Sequence, residues 1–188
     1  MLVHGGALVG PSSCGLIVGA DAADCLYSAL VSPPPLSNQK TMNILLLTED
    51  PSDQVIFREA VAGLSAQHNL VVCESIADVW ERLKSRQIHV PNIIFLHNEL
   101  SRSYDHELVE IFKRNPQLRT VPIVVLADTG DVEEVSYIYG LQVSCFVVLP
   151  TEPSLRRDKF QACLEFWSIH AELPELQRWW PKDSDASR

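Results

Sequence analysis

A chain of 188 residues with 46% hydrophobic and 21% charged residues suits one domain plus tails, with enough length to bury its own core. Its formal net charge of -9 excludes broad binding to nucleic acid or to an anionic membrane, since both need a basic face. No apolar run approaches the roughly 20 residues that span a bilayer. The five Cys, at 14, 25, 73, 145 and 163, form no CxxC pair, which points to reduced thiols in a cytoplasmic protein.

Residues 1–41 are rich in small residues, and their only Lys or Arg is Lys40. A secretory signal needs a basic start, which is missing. The stretch ends in SPPPLSNQK, a linker-like composition. It reads as a poorly ordered arm or an over-extended gene start, with Met42 as the working initiator.

From Met42 the hydrophobic period alternates between strand and helix. NILLLT (43–48) is a continuous apolar run expected of a strand covered on both faces. Asp50-Pro51-Ser52-Asp53 supplies an N-cap, a first-turn Pro and an acidic third position, and Val55, Ile56, Ala60, Val61 and Leu64 follow at helical spacing. LVVCES (70–75) is a second strand, followed by a helix with Ile76, Val79, Trp80 and Leu83 on one face. NIIFL (92–96) is the third strand. Leu108, Val109, Ile111 and Phe112 mark a helix that Asn115-Pro116 ends. PIVVLA (122–127) is the fourth strand, and Asp131 with Glu134 has capping-box spacing for a helix stopping near Gly140. SCFVVL (144–149) is the fifth strand, and Phe160, Cys163, Leu164 and Trp167 line the last helix.

Five strand-then-helix units imply an α/β domain: a doubly wound, mostly parallel sheet with helices on both faces. A site in such a sheet belongs at the carboxyl ends of strands one and three, here Thr48-Glu49-Asp50 and His97-Asn98-Glu99. No nucleophile elbow, Walker loop, GxGxxG or HExxH pattern is present, so no catalytic residues are expected and the chain does not read as an enzyme.

The motifs ILLLTEDPSD, PNIIFLHNEL, VPIVVLADT and CFVVLPTEP, in this order, resemble those of response-regulator receiver domains. NPQLRTVPIVVL and the FWSIHAELP tail (166–174) are most similar to the small stand-alone regulators that partner bacteriophytochrome-type histidine kinases. The resemblance covers 42–174 and implies a flavodoxin-like five-stranded parallel sheet of order 2-1-3-4-5. It also implies a role in two-component phosphorelay signalling, with a histidine kinase or another signalling protein as partner. A homodimer is the alternative assembly, and neither nucleic acid nor membrane is expected as a partner. In the family, an Asp at the third strand's tip accepts a phosphoryl group, with Mg²⁺ held by acidic residues.

This sequence departs from that pattern at most positions. His97 stands at the phosphoacceptor position, and Thr48 at the first acidic position, leaving an acidic pocket of Glu49, Asp50 and Glu99. Ala127 replaces the hydroxyl residue and Leu149 the Lys. Pro150 resembles the family's cis-proline position, and Phe146 takes the switch-aromatic position. The changes agree with one another, because without an acceptor carboxylate and Mg²⁺ nothing is left for a hydroxyl and a Lys to hold. The expectation is a non-phosphorylatable pseudo-receiver with no cofactor and no metal, working through its fourth helix, fifth strand and fifth helix.

At His97 the bland reading is a neutral imidazole hydrogen-bonded near Glu49. The sharper readings are a pH-sensing group beside Glu49 or Glu99, or a transition-metal site with Glu49. A regulator phosphorylated at a displaced acid, Glu49 or Asp50, is a further alternative. For Asp50 the helix cap is the better reading. Tyr137 and Tyr139 read as half-buried helix residues, and Trp179 and Trp180 as a docking element or a fold-back segment.

Overall fold

The computed structural model of the chain describes residues 41–99 and 107–174. The N-terminal arm, Cys14, Cys25, and the 175–188 extension with its Trp pair lie outside the described residues. Five parallel strands form one sheet: β1 (Asn43–Leu47), β2 (Asn69–Cys73), β3 (Ile93–His97), β4 (Ile123–Ala127) and β5 (Cys145–Val148), in the order β2-β1-β3-β4-β5. The parallel sheet is what the alternating periods imply, and its order is what the resemblance implies.

Among the described residues the helices are α1 (Pro51–Ala62), α2 (Ile76–Lys84), α3 (Glu107–Arg114), α4 (Val132–Gly140) and α5 (Pro153–Glu165), the last running into a π-helical turn, Phe166–His170. Asp50 caps α1 by accepting from Ser52 N–H at 2.8 Å, and Asp131 caps α4 by accepting from Glu134 N–H at 2.7 Å. Ser75 and Glu152 cap α2 and α5 in the same way, through Asp78 N–H and Leu155 N–H.

The strands separate two apolar layers by simple alternation. Leu45, Leu47, Ile94, Leu96, Ile123 and Val125 face one way and pack with Val79, Phe112 and Ile138 of α2, α3 and α4. Ile44, Leu46, Ile93, Phe95, Val124 and Leu126 face the other way, onto Phe57 of α1 and Phe160 of α5. Phe57 is fully buried, with edge contacts to Phe95 and Phe160 at ring separations of 5.0 and 5.1 Å. The face α1 buries is Asp53, Phe57, Ala60 and Val61, while Val55 is 57% exposed. Of the predicted apolar face, Ala60 and Val61 are buried and Ile56 and Leu64 pack against this layer, and Val55 alone faces solvent.

At the opposite end of the sheet, Met42 N–H donates to His68 Nδ1 at 3.1 Å. Only a neutral imidazole can accept there, and burial pushes the His68 pKa below its ordinary 6.5. The unfolded chain therefore takes up this proton first as pH falls. The contribution of His68 to stability is full above pH 6.5 and is lost as pH falls from there toward the lowered folded-state value. A His68→Gln variant keeps an acceptor but cannot titrate. Urea midpoints measured across this range should fall less steeply with acid in that variant than in the natural chain; equal slopes would contradict the assignment.

Candidate functional site

His97 ends β3 on the same sheet face as Ile93 and Phe95, so it looks toward α1 and α5. It is only 4% exposed. The charged groups against it are not Glu49 and Glu99, both exposed, but Asp53 and Asp128. His97 Nε2 lies 3.3 Å from Asp53 Oδ2 and 3.9 Å from Asp128 Oδ2. Neither contact is aligned as a hydrogen bond, and Nε2 is buried without a hydrogen-bond partner.

A cation from α5 completes the cluster. Arg156 Nη2 donates to Asp53 Oδ2 at 3.2 Å and to Asp128 Oδ1, and Arg156 Nε lies 2.7 Å from Asp53 Oδ1. The Nε contact is off the hydrogen-bond axis, which leaves it an ion pair whose directed bond is the Nη2 one. Asp53 is 1% and Arg156 8% exposed, whereas the Asp128 side chain keeps 40% of its surface.

The local chain explains each placement. Asp53 is third in α1, where the positive helix end favours an acid. Arg156 lies in the first turn of α5, where that same helix field disfavours a cation. The two carboxylates, not helix preference, hold it there. Asp128 directly follows β4, beyond Ala127.

The residues of the expected acidic pocket all lie at the surface. Asp50 is exposed and spent as the α1 cap, and Glu49 and Glu99 sit at exposed strand ends. Thr48 is 1% exposed, and its hydroxyl accepts from Asp50 N–H at 3.1 Å. Ala127 and Leu149 are 2% and 3% exposed; Leu149 packs in the Phe57–Phe160 layer, so the positive charge missing there arrives from α5 instead. No peptide among the described residues is cis, so the bond before Pro150 is trans, contrary to the cis-proline likeness.

Phe146 packs inward against the α4 side of the sheet. Gly130 makes room for its ring, since a Cβ there would stand 2.8 Å from Phe146 Cε1. Phe146 N–H donates to the Tyr139 hydroxyl at 3.2 Å, which covers part of the open edge of β5. Tyr137 and Tyr139 are 51% and 47% exposed, as half-buried helix residues should be. Asn98, 1% exposed, donates through Nδ2 to Glu134 Oε1 at 2.9 Å.

Sequence reasoning missed the roles of Asp53, Asp128 and Arg156 in the cluster. A signal existed: Arg156, Phe160 and Leu164 are spaced i, i+4, i+8, and Asp53, Phe57, Ala60 and Val61 follow the same helical logic. Two apolar stripes thus open with charges of opposite sign.

No family model matches the chain. A search of curated proteins finds response regulator Rcp1 of Synechocystis sp., 25% identical over 138 residues, covering 70% of this chain and 92% of that protein. Among solved structures, the phosphorylated cyanobacterial phytochrome response regulator RcpA matches with a TM-score of 0.66 at 23% identity, over 72% of this chain and 99% of its own. The Mn²⁺-bound form of Rcp1 matches with a TM-score of 0.64 at 23% identity, over 71% and 99%. The bacteriophytochrome response regulator AtBRR matches with a TM-score of 0.52 at 23% identity, over 71% and 99%. With the strand order and the paired layers, the chain has the flavodoxin-like fold seen in response-regulator receiver domains, and its sequence is similar to that of response regulator Rcp1.

Proposed function

We propose that the chain is a two-component signalling protein that has given up phosphoryl acceptance and acts by contact with a histidine kinase or another signalling protein. The observation carrying this reading is the closure of Arg156 on Asp53 and Asp128 over His97. An imidazole stands where a receiver presents its acceptor carboxylate. The guanidinium neutralises the nearby acids that a phosphoryl-bound cation needs.

The Mg²⁺ that the fold family implies does not fit these residues. Mg²⁺ takes an octahedron of oxygens. Here Glu49 is exposed, Asp50 is engaged as a cap, and the two remaining carboxylates face a nitrogen and a guanidinium. No phosphoryl step is derived through such an ion.

The contact surface is the face of α4, β5 and α5. Val132 (82% exposed), Tyr137, Val148 and Leu155 (56%) leave apolar surface in water there. Calorimetric titration against the phosphotransfer domain of a bacteriophytochrome-type histidine kinase tests the reading. Binding should be the same with and without acetyl phosphate, and should weaken by about tenfold or more in Tyr137→Ala/Leu155→Ala, as for hot-spot side chains. Affinity that changes with the phosphoryl donor, or that ignores both substitutions, would contradict it.

A further inference from the structure

We propose that the open edge of β2 pairs with β2 of a second copy of this chain, antiparallel, so that the sheet continues across a two-fold axis. The backbone fixes which groups are available. β2 ends the sheet order, with β1 on its one paired side. Asn69 N–H donates to the Met42 carbonyl, and the Cys73 carbonyl accepts from Thr48 N–H, so both residues direct their backbone groups to β1. Alternate residues of a parallel strand bond to the same side. Val71 therefore does likewise, and Leu70 and Val72 point their N–H and C=O groups outward. Among the described residues nothing takes these groups.

Proteins usually blunt such an edge with charge, proline, a bulge or a cover. At β5 the Tyr139 hydroxyl takes the Phe146 N–H. β2 has no comparable guard. Its sequence is NLVVC, with no Lys and no Pro, and its register with β1 runs unbroken. Leu70, Val71 and Val72 are only half-buried, so pairing covers apolar surface as well as backbone.

The edge is also complementary to itself. With Val71 opposite Val71, each Leu70 stands opposite Val72 of the other copy and exchanges both backbone hydrogen bonds with it. That register uses every outward group of the strand, whereas pairing Leu70 with Leu70 or Val72 with Val72 uses half of them. Leu70 and Val72 belong to the layer under α1 and Val71 to the layer under α2, so apolar side chains meet on both faces of the joined sheet. The charges match as well. Glu74, held by Gln54 Nε2 at 3.2 Å, comes level with residue 68 of the other copy. There Arg58, Gln67 and His68 line a hollow of about 450 Å³, and Arg58 has no ion-pair partner among the described residues. Each copy thus offers an acid to the other's unpaired guanidinium. This edge lies across the sheet from the α4–β5–α5 face, so self-pairing and kinase contact can fail independently.

The test is analytical ultracentrifugation of the full chain with residue-resolved amide exchange, beside Val72→Pro and Leu70→Lys. An edge strand tolerates Pro where the lost N–H faces outward, and Lys is a common guard of such edges, so two independent substitutions can report, each checked for folding by circular dichroism. The natural chain should pass from monomer to dimer as its concentration rises, with a dissociation constant of about 10–100 µM, as suits a small interface. The Leu70 and Val72 amides should exchange more slowly in step with the dimer. Each variant should weaken association at least about tenfold, because each copy loses an outward donor or gains a charge at the axis. A natural chain still monomeric at about 1 mM, or unchanged association in either folded variant, overturns the proposal. Protection of both amides that does not depend on concentration also overturns it, since a segment of the same chain then covers the edge.

Discussion

Arg156→Leu is expected to destabilise the domain by about 3–5 kcal/mol, the usual loss when one partner of a buried ion pair is removed. The reason lies with Asp53. Its carboxylate is 1% exposed, and its cationic partner is the Arg156 guanidinium, 2.7 Å away. Removing the guanidinium leaves a buried charge facing an imidazole. Asp128 is less affected, because its side chain still reaches water. The double variant Asp53→Leu/Arg156→Leu should recover most of the loss, since a buried pair replaced by apolar side chains is often neutral or better. Urea unfolding of the two single variants and the double variant measures the coupling. Additive losses would mean that the two side chains do not act as a pair.

Phe57→Ala should cost a similar amount, about 3–5 kcal/mol, through a different cause. Phe57 is fully buried between the sheet and α5, with its ring edge-on to both Phe95 and Phe160. Truncation leaves a cavity bounded by two rigid rings, which cannot close over it cheaply. The same ring lies one turn beyond Asp53 on α1 and packs on Phe160, one turn beyond Arg156 on α5. It therefore sets the spacing at which the ion pair meets. Phe57→Leu, which keeps most of the volume, should lose much less, under about 1.5 kcal/mol. Equal losses for Ala and Leu in chemical unfolding would show that the volume of the ring is not what matters.

The sheet was legible because its information is local. Each strand is a short apolar run, each helix has its own period, and Asp50 and Asp131 announce helix starts by residue type and spacing. The position of His97 was legible too, as the residue closing the third apolar run. Its neighbours were not. Asp53 and Arg156 are separated by 103 residues, and each has an ordinary local reading, one as a first-turn acid and the other as a solvated helix cation. Only the register of each charge on its own apolar stripe gives the pairing away. Glu49 attracted attention because it lies close to the strand end in sequence, yet β1 releases it into solvent just as Thr48 turns inward. Leu149 shows the same lesson from the other side: the loss of a cation at one position was visible, but its replacement from the first turn of α5 was not.

The central claim is that a closed charge cluster has replaced phosphoryl chemistry at the end of β3. Intact mass after incubation of the full chain with acetyl phosphate and Mg²⁺, beside His97→Asp, tests it most directly. The account predicts no phosphoryl group on the natural chain, and none or only a trace on His97→Asp, because Arg156 still neutralises the neighbouring carboxylates. A natural chain that gains the mass of one phosphoryl group would contradict the account.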